Sequence, residues 1–132
     1  MAFAYTFDLT RTEIEELLAS ASNFSGLFGG LKKKILASAS ARIAERNEGK
    51  VTVELSETGI RLTDDRGVRD MVWAKVHYVV ERPGLWTTQD VEHGAAILPA
   101  SAVPEEDRAA LAEQLRAWVG GKYTVRDGGV GR

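Results

Sequence analysis

The chain has 132 residues, of which 44% are hydrophobic and 27% are charged. This size and balance are typical of one globular domain, and they exclude a two-domain enzyme and a disordered chain. The net charge of −2 argues against a general nucleic-acid binder, and the absence of cysteine excludes disulfides, thiolate nucleophiles and cysteine metal sites.

The first predicted elements are a strand and a helix within residues 1–21. Alternating aromatic residues predict a half-buried strand: Phe3, Tyr5 and Phe7. Thr10 and Glu13 then form a T-x-x-E capping box, which predicts the start of a helix. Its apolar face comprises Ile14, Leu17, Leu18 and Ala21.

Residues 22–49 are predicted to be a basic, glycine-containing helical insert. Three glycines interrupt the first helix, and a second, weaker helix follows from about residue 31 to 46, ended by Asn47 and Gly49. Between residues 24 and 46 there are five basic side chains and one acidic side chain, a local balance of 5 − 1 = +4.

From Lys50 the hydrophobic period becomes two, which predicts a series of short antiparallel strands. Thr58-Gly59 and the sequence 64–67 are predicted turns, with Gly67 supplying a positive φ. The inward face of the next strand is ambiguous, because Met71 and Trp73 compete with Val72. Two further hairpins are predicted around residues 83–84 and 92–94.

The clearest predicted element is the C-terminal helix. Pro104 suits its first turn, acidic residues follow where the helix dipole is positive, and Gly120 ends it. Its apolar stripe is Leu111, Leu115 and Trp118, which we expect to pack on the strands. Residues 123–132 are predicted to be a flexible tail.

This order of elements predicts an α+β fold. The simplest arrangement is a bent antiparallel β-sheet or partial barrel that the C-terminal helix closes at one end. The three tryptophans, Trp73, Trp86 and Trp118, are predicted to be core residues because they lie in periodic elements.

Four stretches of the chain resemble the YcxB-like family, a bacterial group with a pleckstrin-homology-like fold. They are YTFDLT (5–10), VELSETGIRL (53–62), MVWAKV (71–76) and AILPASAVPEE (96–106). The resemblance implies a single domain over residues 1–122, with a pleckstrin-homology-like part at 50–122. Family members typically carry two transmembrane helices where this chain has the insert 22–49, so it resembles a soluble variant. The function of the family is largely unknown.

The residues give little support for catalysis. His77 and His93 lack ligand spacing, and Asp64-Asp65 is better explained by the turn than by a hard cation. The chain contains no G-x-S-x-G, Walker or H-E-x-x-H motif. We therefore expect no enzymatic activity, no cofactor and no metal.

One candidate contact surface remains, an apolar cluster beside three lysines: Phe24, Leu27, Phe28, Leu31, Lys32, Lys33, Lys34 and Ile35. Three hypotheses follow. The first is a non-enzymatic binding module acting through protein contacts, with a homodimer as one form. The second is a peripheral membrane module that docks this surface on anionic lipid. The third, a small-ligand carrier or enzyme using the sheet cavity, ranks last because no polar residues converge.

The N-terminus lacks the pattern of a signal peptide, and the uncharged stretch 17–31 is too short and polar to span a bilayer. The predicted location is cytoplasmic, and under the second hypothesis it is peripheral at the inner face of the membrane.

Overall fold

The computed structural model describes residues 2–21, 41–126 and Val130. Its strands, numbered in chain order, are β1 (Phe3–Leu9), β2 (Gly49–Ser56), β3 (Gly59–Asp64), β4 (Gly67–Val72), β5 (Val76–Arg82), β6 (Leu85–Asp90), β7 (Gly94–Pro99) and β8 (Tyr123–Val125). Its helices are α1 (Arg11–Ala21), the helical residues 41–47 (α2) and α3 (Glu105–Val119). Short 3-10 turns cover Trp73–Lys75, Ala100–Ala102 and Gly120–Lys122.

The first sheet is antiparallel, in the order β1-β2-β3-β4. Its register runs from Phe3 opposite Leu55 to Leu9 opposite Gly49 between β1 and β2. Alternate residues of β2 are buried, as the period of two predicts: Val51, Val53 and Leu55. The β2–β3 and β3–β4 hairpins each have a two-residue loop, so the registers of these three strands are tied to one another.

The second sheet has the order β7-β6-β5-β8 and is mixed, because β8 pairs parallel to β5. A register shift between Val76 and Tyr78 marks a bulge at the start of β5. Residues 123–125 therefore differ from the prediction of a flexible tail, because they form a strand. The pairing of Val80 with Thr124 lies at the centre of this parallel contact.

The predicted α+β class, with antiparallel strands and a C-terminal helix, is confirmed. The strands do not form one bent sheet, however, and among the described residues there is no closed barrel. The physical cause lies at Trp73–Lys75, where a 3-10 turn separates β4 from β5. After that turn the chain starts a new hairpin with β6 rather than extending the first sheet.

Helix α3 buries its predicted apolar stripe. Leu111 and Leu115 are almost inaccessible, and Trp118 stacks on Trp73 with ring centroids 5.8 Å apart. Phe3 meets the Trp118 ring edge-on at 6.3 Å. Trp73 and Trp86 are buried and Trp118 is half-buried, so their assignment to the core is confirmed.

The first helix begins as its capping box predicts. Glu13 N donates to Thr10 Oγ1 at 3.1 Å, and Thr10 N donates to Glu13 Oε1 at 3.0 Å. Ile14 and Leu18 are buried and Leu17 is half-buried, which fixes the face of α1 toward the core. In the described part of the chain, no helix is both long enough and apolar enough to cross a membrane.

The second predicted helix, from about residue 31 to 46, can be compared only from residue 41 onward, because its earlier part lies outside the described residues. Residues 41–47 are helical. Asn47 is buried at the last helical position, where its Nδ2 donates to the Ile43 carbonyl at 2.8 Å. The end of this helix thus agrees with the prediction.

Candidate functional site

The contact surface predicted from the sequence lies outside the described residues. It consists of an apolar cluster with three lysines: Phe24, Leu27, Phe28, Leu31, Lys32, Lys33, Lys34 and Ile35. Within the described residues, the edges and faces of the two sheets are the surfaces that a partner could contact.

The two histidines lie apart from one another. His77 is exposed on β5, and His93 Nδ1 lies 3.1 Å from Asp90 Oδ2 within the β6–β7 turn. Burial acts to raise the pKa of Asp90, but the hydrogen bonds from His93 outweigh it and hold that pKa below its usual value. Over residues 2–21 and 41–126, no group of three or more His, Asp or Glu is placed to hold a metal ion.

Each four-stranded sheet has two edges, and β7 is one edge of the second sheet. Side chains from other elements bond two backbone carbonyls at its start, one just before the strand and one within it. The His93 carbonyl accepts from Arg46 at 2.7 Å, and the Ala95 carbonyl accepts from Asn47 at 3.2 Å and from Arg69 at 3.4 Å. These contacts occupy the start of this edge.

Two other edges are β1 and β8. On β1, Phe3 contacts Trp118, and Tyr5 Oη donates to Asp107 Oδ2 at 3.4 Å, so inward side chains of this strand contact α3. Burial, together with the Asp107 carboxylate, raises the pKa of Tyr5 to about 12. The β8 edge is only three residues long.

The fourth edge, β4, is open. Trp73 N donates to the Thr58 carbonyl, which fixes the alternation of the β3–β4 ladder. With Val72 paired opposite Gly59, the backbone groups of Val68, Asp70 and Val72 must point away from β3. The structure gives these outward backbone groups no partner among the described residues.

The side chains of the same three residues face solvent. Val68 is 56% exposed and Val72 is 43% exposed, whereas Met71 between them is buried. This alternation resolves the face that the sequence left ambiguous, since Met71 and Trp73 point inward. We call the outward backbone and side chains of Val68, Asp70 and Val72 the β4 edge.

A row of charges crosses the outer face of the first sheet and ends at the β4 edge. Glu54 pairs opposite Arg61, and Arg61 pairs opposite Asp70. Arg61 Nε donates to Asp70 Oδ1 at 2.8 Å, and this contact raises the pKa of the Arg61 guanidinium above its usual value. The charges in this row are therefore negative, positive and negative in turn, and the last of them lies on the edge strand.

A groove of about 610 Å³ lies at the same end of the first sheet. It extends from Phe3 on β1 to Val72 on β4, and its lining includes the polar row at Glu54, Arg61 and Asp70. An extended segment paired along β4 would therefore meet this groove at Asp70–Val72.

The β3–β4 hairpin is anchored to the end of α2. The Arg66 guanidinium donates to the carbonyls of Arg46 at 2.8 Å and Glu48 at 3.2 Å, and to Asp64 Oδ2 at 2.9 Å. Such donors satisfy carbonyls that have no partner within the helix. Burial acts to raise the pKa of Asp64, but hydrogen bonds from Arg66 lower it below its usual value.

Arg69 supports the hairpin from its inner side. It is half-buried and donates to Asn47 Oδ1 at 3.1 Å. Burial, followed by the nearby charge of Arg46, lowers the pKa of Arg69 below its usual value. Because these arginines bind helix carbonyls and side chains of the fold, we interpret them as supports for β4 rather than as an anion site.

The space between the sheets is small. Apolar side chains such as Leu55, Leu62 and Leu115 surround a cavity of about 20 Å³, which is roughly the space of one water molecule. The Thr87 hydroxyl, which is buried and has no hydrogen-bond partner among the described residues, also lines it. This volume does not support the hypothesis of a small-ligand carrier.

A buried carboxylate that the sequence analysis missed lies on β5. Glu81 is inaccessible to solvent; its Oε1 accepts a short hydrogen bond from the Tyr123 hydroxyl, and its Oε2 accepts one from Val130 N at 3.0 Å. Trp86 Nε1 donates to the Tyr123 hydroxyl at 3.1 Å. These contacts bind the C-terminal residues to the second sheet.

Comparison of the chain with protein-family models, with curated proteins and with solved structures finds no match.

Proposed function

We propose that this chain is a non-enzymatic protein-binding module that adds an extended segment of a partner protein to the first sheet, at the β4 edge. The main observation is that β4 presents two exposed valines and outward backbone groups that have no partner among the described residues, whereas β8 is only three residues long and the Ala95 carbonyl of β7 is already hydrogen-bonded. Pairing along an exposed edge is a common mode of peptide recognition, in which main-chain hydrogen bonds provide the affinity.

The proposal includes a pleckstrin-homology-like architecture. It is supported by the strand order of the two sheets and by the C-terminal helix that packs against both β1 and the turn Trp73–Lys75. The resemblance to the YcxB-like family implies the same fold. The non-enzymatic part of the proposal rests on the sequence, which contains no cysteine and none of the nucleophile, phosphate-binding or zinc-protease motifs considered above.

Val72 offers a sharp test of edge pairing. Its φ of −79° and ψ of 141° are compatible with proline, and its N–H points away from β3. Val72→Pro therefore removes one outward donor without breaking the β3–β4 ladder. Val72→Thr is the matched control, because it keeps the N–H and the β-branched shape.

The experiment selects peptides from a displayed library on the wild-type protein and then measures their binding to both variants. We expect the selected peptides to bind the Val72→Thr variant and to lose at least tenfold in affinity for the Val72→Pro variant. Equal affinity for the two variants would contradict edge pairing at β4. Both variants are first checked for the wild-type thermal unfolding midpoint.

A second candidate function is docking on an anionic membrane surface through residues 24–36. It is favoured by the balance of +4 over residues 24–46, within which Arg42 and Arg46 lie in the described part of the chain and are exposed. Flotation with anionic and neutral liposomes tests it: binding to anionic vesicles alone, lost at higher salt, would support it. A Lys32→Glu, Lys33→Glu, Lys34→Glu variant should then no longer float.

A further inference from the structure

The chemistry of the β4 edge restricts which segment it can bind; this inference rests on the proposed function. Along the outer face, the edge presents Val68, Asp70 and Val72 in alternate positions. In a paired strand, the side chains on the same face lie directly opposite these three. The middle position of the partner is therefore next to a carboxylate, and the outer two are next to valines.

The charge of the middle position follows from the row on the outer face. Glu54, Arg61 and Asp70 alternate in sign from β2 to β4. A cation on the partner would continue that alternation, whereas an anion would be directly opposite Asp70. Opposite charges across a strand pair are stabilising, and like charges are destabilising.

The outer positions follow from the exposed valines. Apolar or β-branched partner residues opposite Val68 and Val72 would cover their exposed surface. The resulting pattern reads apolar-x-cation-x-apolar in either direction. It consequently applies to parallel and to antiparallel pairing.

The same geometry argues against a second copy of the chain as the occupant. In a two-fold antiparallel pair that sets Val68 opposite Val72, the residue at the centre is Asp70, which meets Asp70 of the other copy. That contact places two carboxylates directly opposite each other, which is destabilising. A partner of different sequence avoids this repulsion.

We propose that the β4 edge selects an extended peptide of the pattern apolar-x-Lys/Arg-x-apolar, with the cation paired to Asp70. The peptide's backbone bonds the outward groups of Val68, Asp70 and Val72. Asp70, already held by Arg61, sets the charge preference, and the valines set the preference for apolar flanking residues.

Two synthetic peptides test this proposal, TVTKTVT and its charge-reversed match TVTETVT, both with blocked ends. Each is titrated into the uniformly ¹⁵N-labelled full chain, and amide hydrogen exchange is followed by NMR. We expect the lysine peptide to slow exchange at the amides of Val68, Asp70 and Val72. Its affinity should exceed that of the glutamate peptide by about two- to thirtyfold.

An Asp70→Asn variant tests whether the Asp70 charge causes the preference for the lysine peptide. It keeps the outward backbone groups, so both peptides should still slow exchange at the edge, while the preference for lysine is lost. The Val72→Pro variant should bind neither peptide, and the Val72→Thr variant should bind the lysine peptide as the wild type does.

The outcomes distinguish a failure of the charge preference from a failure of pairing at the β4 edge. Equal affinity for both peptides, with protection at β4, would overturn the charge selection and leave the proposed function standing. No protection at β4 by either peptide would overturn both. Sedimentation that shows a wild-type dimer, and a monomer for the Val72→Pro variant, would identify a second copy as the occupant and would overturn the choice of partner.

Discussion

Gly59 is the position where a single added methyl group should be least tolerated. It begins β3 directly opposite Val72 of β4, with a φ of +157°, a conformation that other residues rarely adopt. A Cβ built there would lie 2.1 Å from the Met71 carbonyl oxygen and 3.0 Å from the Val72 Cα. Because both contacts are with backbone, no change of rotamer can relieve them.

Two costs add in the Gly59→Ala variant. Forcing extra volume into a packed site costs about 1–3 kcal/mol. Holding a non-glycine residue in a sparsely populated backbone region costs about 1–3 kcal/mol more. The expected loss in the free energy of unfolding is therefore about 2–6 kcal/mol, a large fraction of the stability of about 5–15 kcal/mol that is usual for a single domain.

Two other glycines separate these costs. Gly67 has a φ of +130°, but a Cβ there meets nothing within 4 Å, so Gly67→Ala should cost only the backbone strain. A Cβ at Gly121 also meets nothing, and no such strain applies, so Gly121→Ala should change stability by less than about 0.5 kcal/mol.

Urea denaturation followed by tryptophan fluorescence measures all three variants at an unchanged m-value. The expected order of destabilisation is Gly59→Ala, then Gly67→Ala, then Gly121→Ala. If Gly59→Ala lost no more stability than Gly67→Ala, the close approach of β3 and β4 at this pair would be refuted.

Three further predictions concern buried and charged groups. Glu81→Gln should lower the free energy of unfolding by about 1–3 kcal/mol, because the amide has only one acceptor oxygen for the two donors Tyr123 Oη and Val130 N; urea denaturation checks it, and an unchanged midpoint would contradict it. The pKa of the Tyr5 hydroxyl is about 12 in the folded chain and about 10 in the unfolded chain. This difference contributes fully to the free energy of unfolding below about pH 10, and the contribution is lost as the pH rises toward about 12. The stability of Tyr5→Phe relative to wild type should accordingly increase between pH 9 and 12 in urea titrations, and parallel pH profiles would argue against the shift. Folding lowers the pKa of Asp64 below its unfolded value of about 3.9. This difference contributes to the free energy of unfolding above the unfolded pKa, and the contribution is lost as the pH falls through the folded pKa. Wild type should therefore lose stability more steeply than Asp64→Asn between pH 5 and 2, and identical slopes in acid denaturation would count against that assignment.

Local elements could be predicted from the sequence because their causes are local. The capping box at Thr10 and Glu13 fixes the start of α1, and the spacing of Leu111 and Leu115 identifies the buried face of α3. Hairpins were predictable for the same reason, since a tight turn needs a residue with positive φ and a glycine such as Gly67 supplies it.

The division into two sheets and the open edge were not predictable in this way. Which strands are edges depends on pairings between distant segments, such as Phe3 with Leu55. Periodicity also could not assign the face of β4, because valine and methionine occupy both parities there and only packing buries Met71.

Side chains with long reach were missed for a similar reason. The sequence places Arg66 in a turn, but its guanidinium donates a hydrogen bond to a carbonyl of α2 some 20 residues earlier in the chain. The sequence suggests that Glu81 is the polar end of a strand, yet it is buried because Tyr123 and Val130 fold back and donate hydrogen bonds to it. Nothing near either residue in the sequence specifies these partners.

The position of Glu81 also has a consequence for the order in which the chain is completed during synthesis. Its partner Tyr123 lies 42 residues further along the chain. At about 5–20 residues per second, a ribosome takes roughly 2–8 s to add those residues. Until then the Glu81 carboxylate lacks this partner and is better hydrated than buried. The second sheet should therefore close over β5 late, after its own hairpins and α3 have been made.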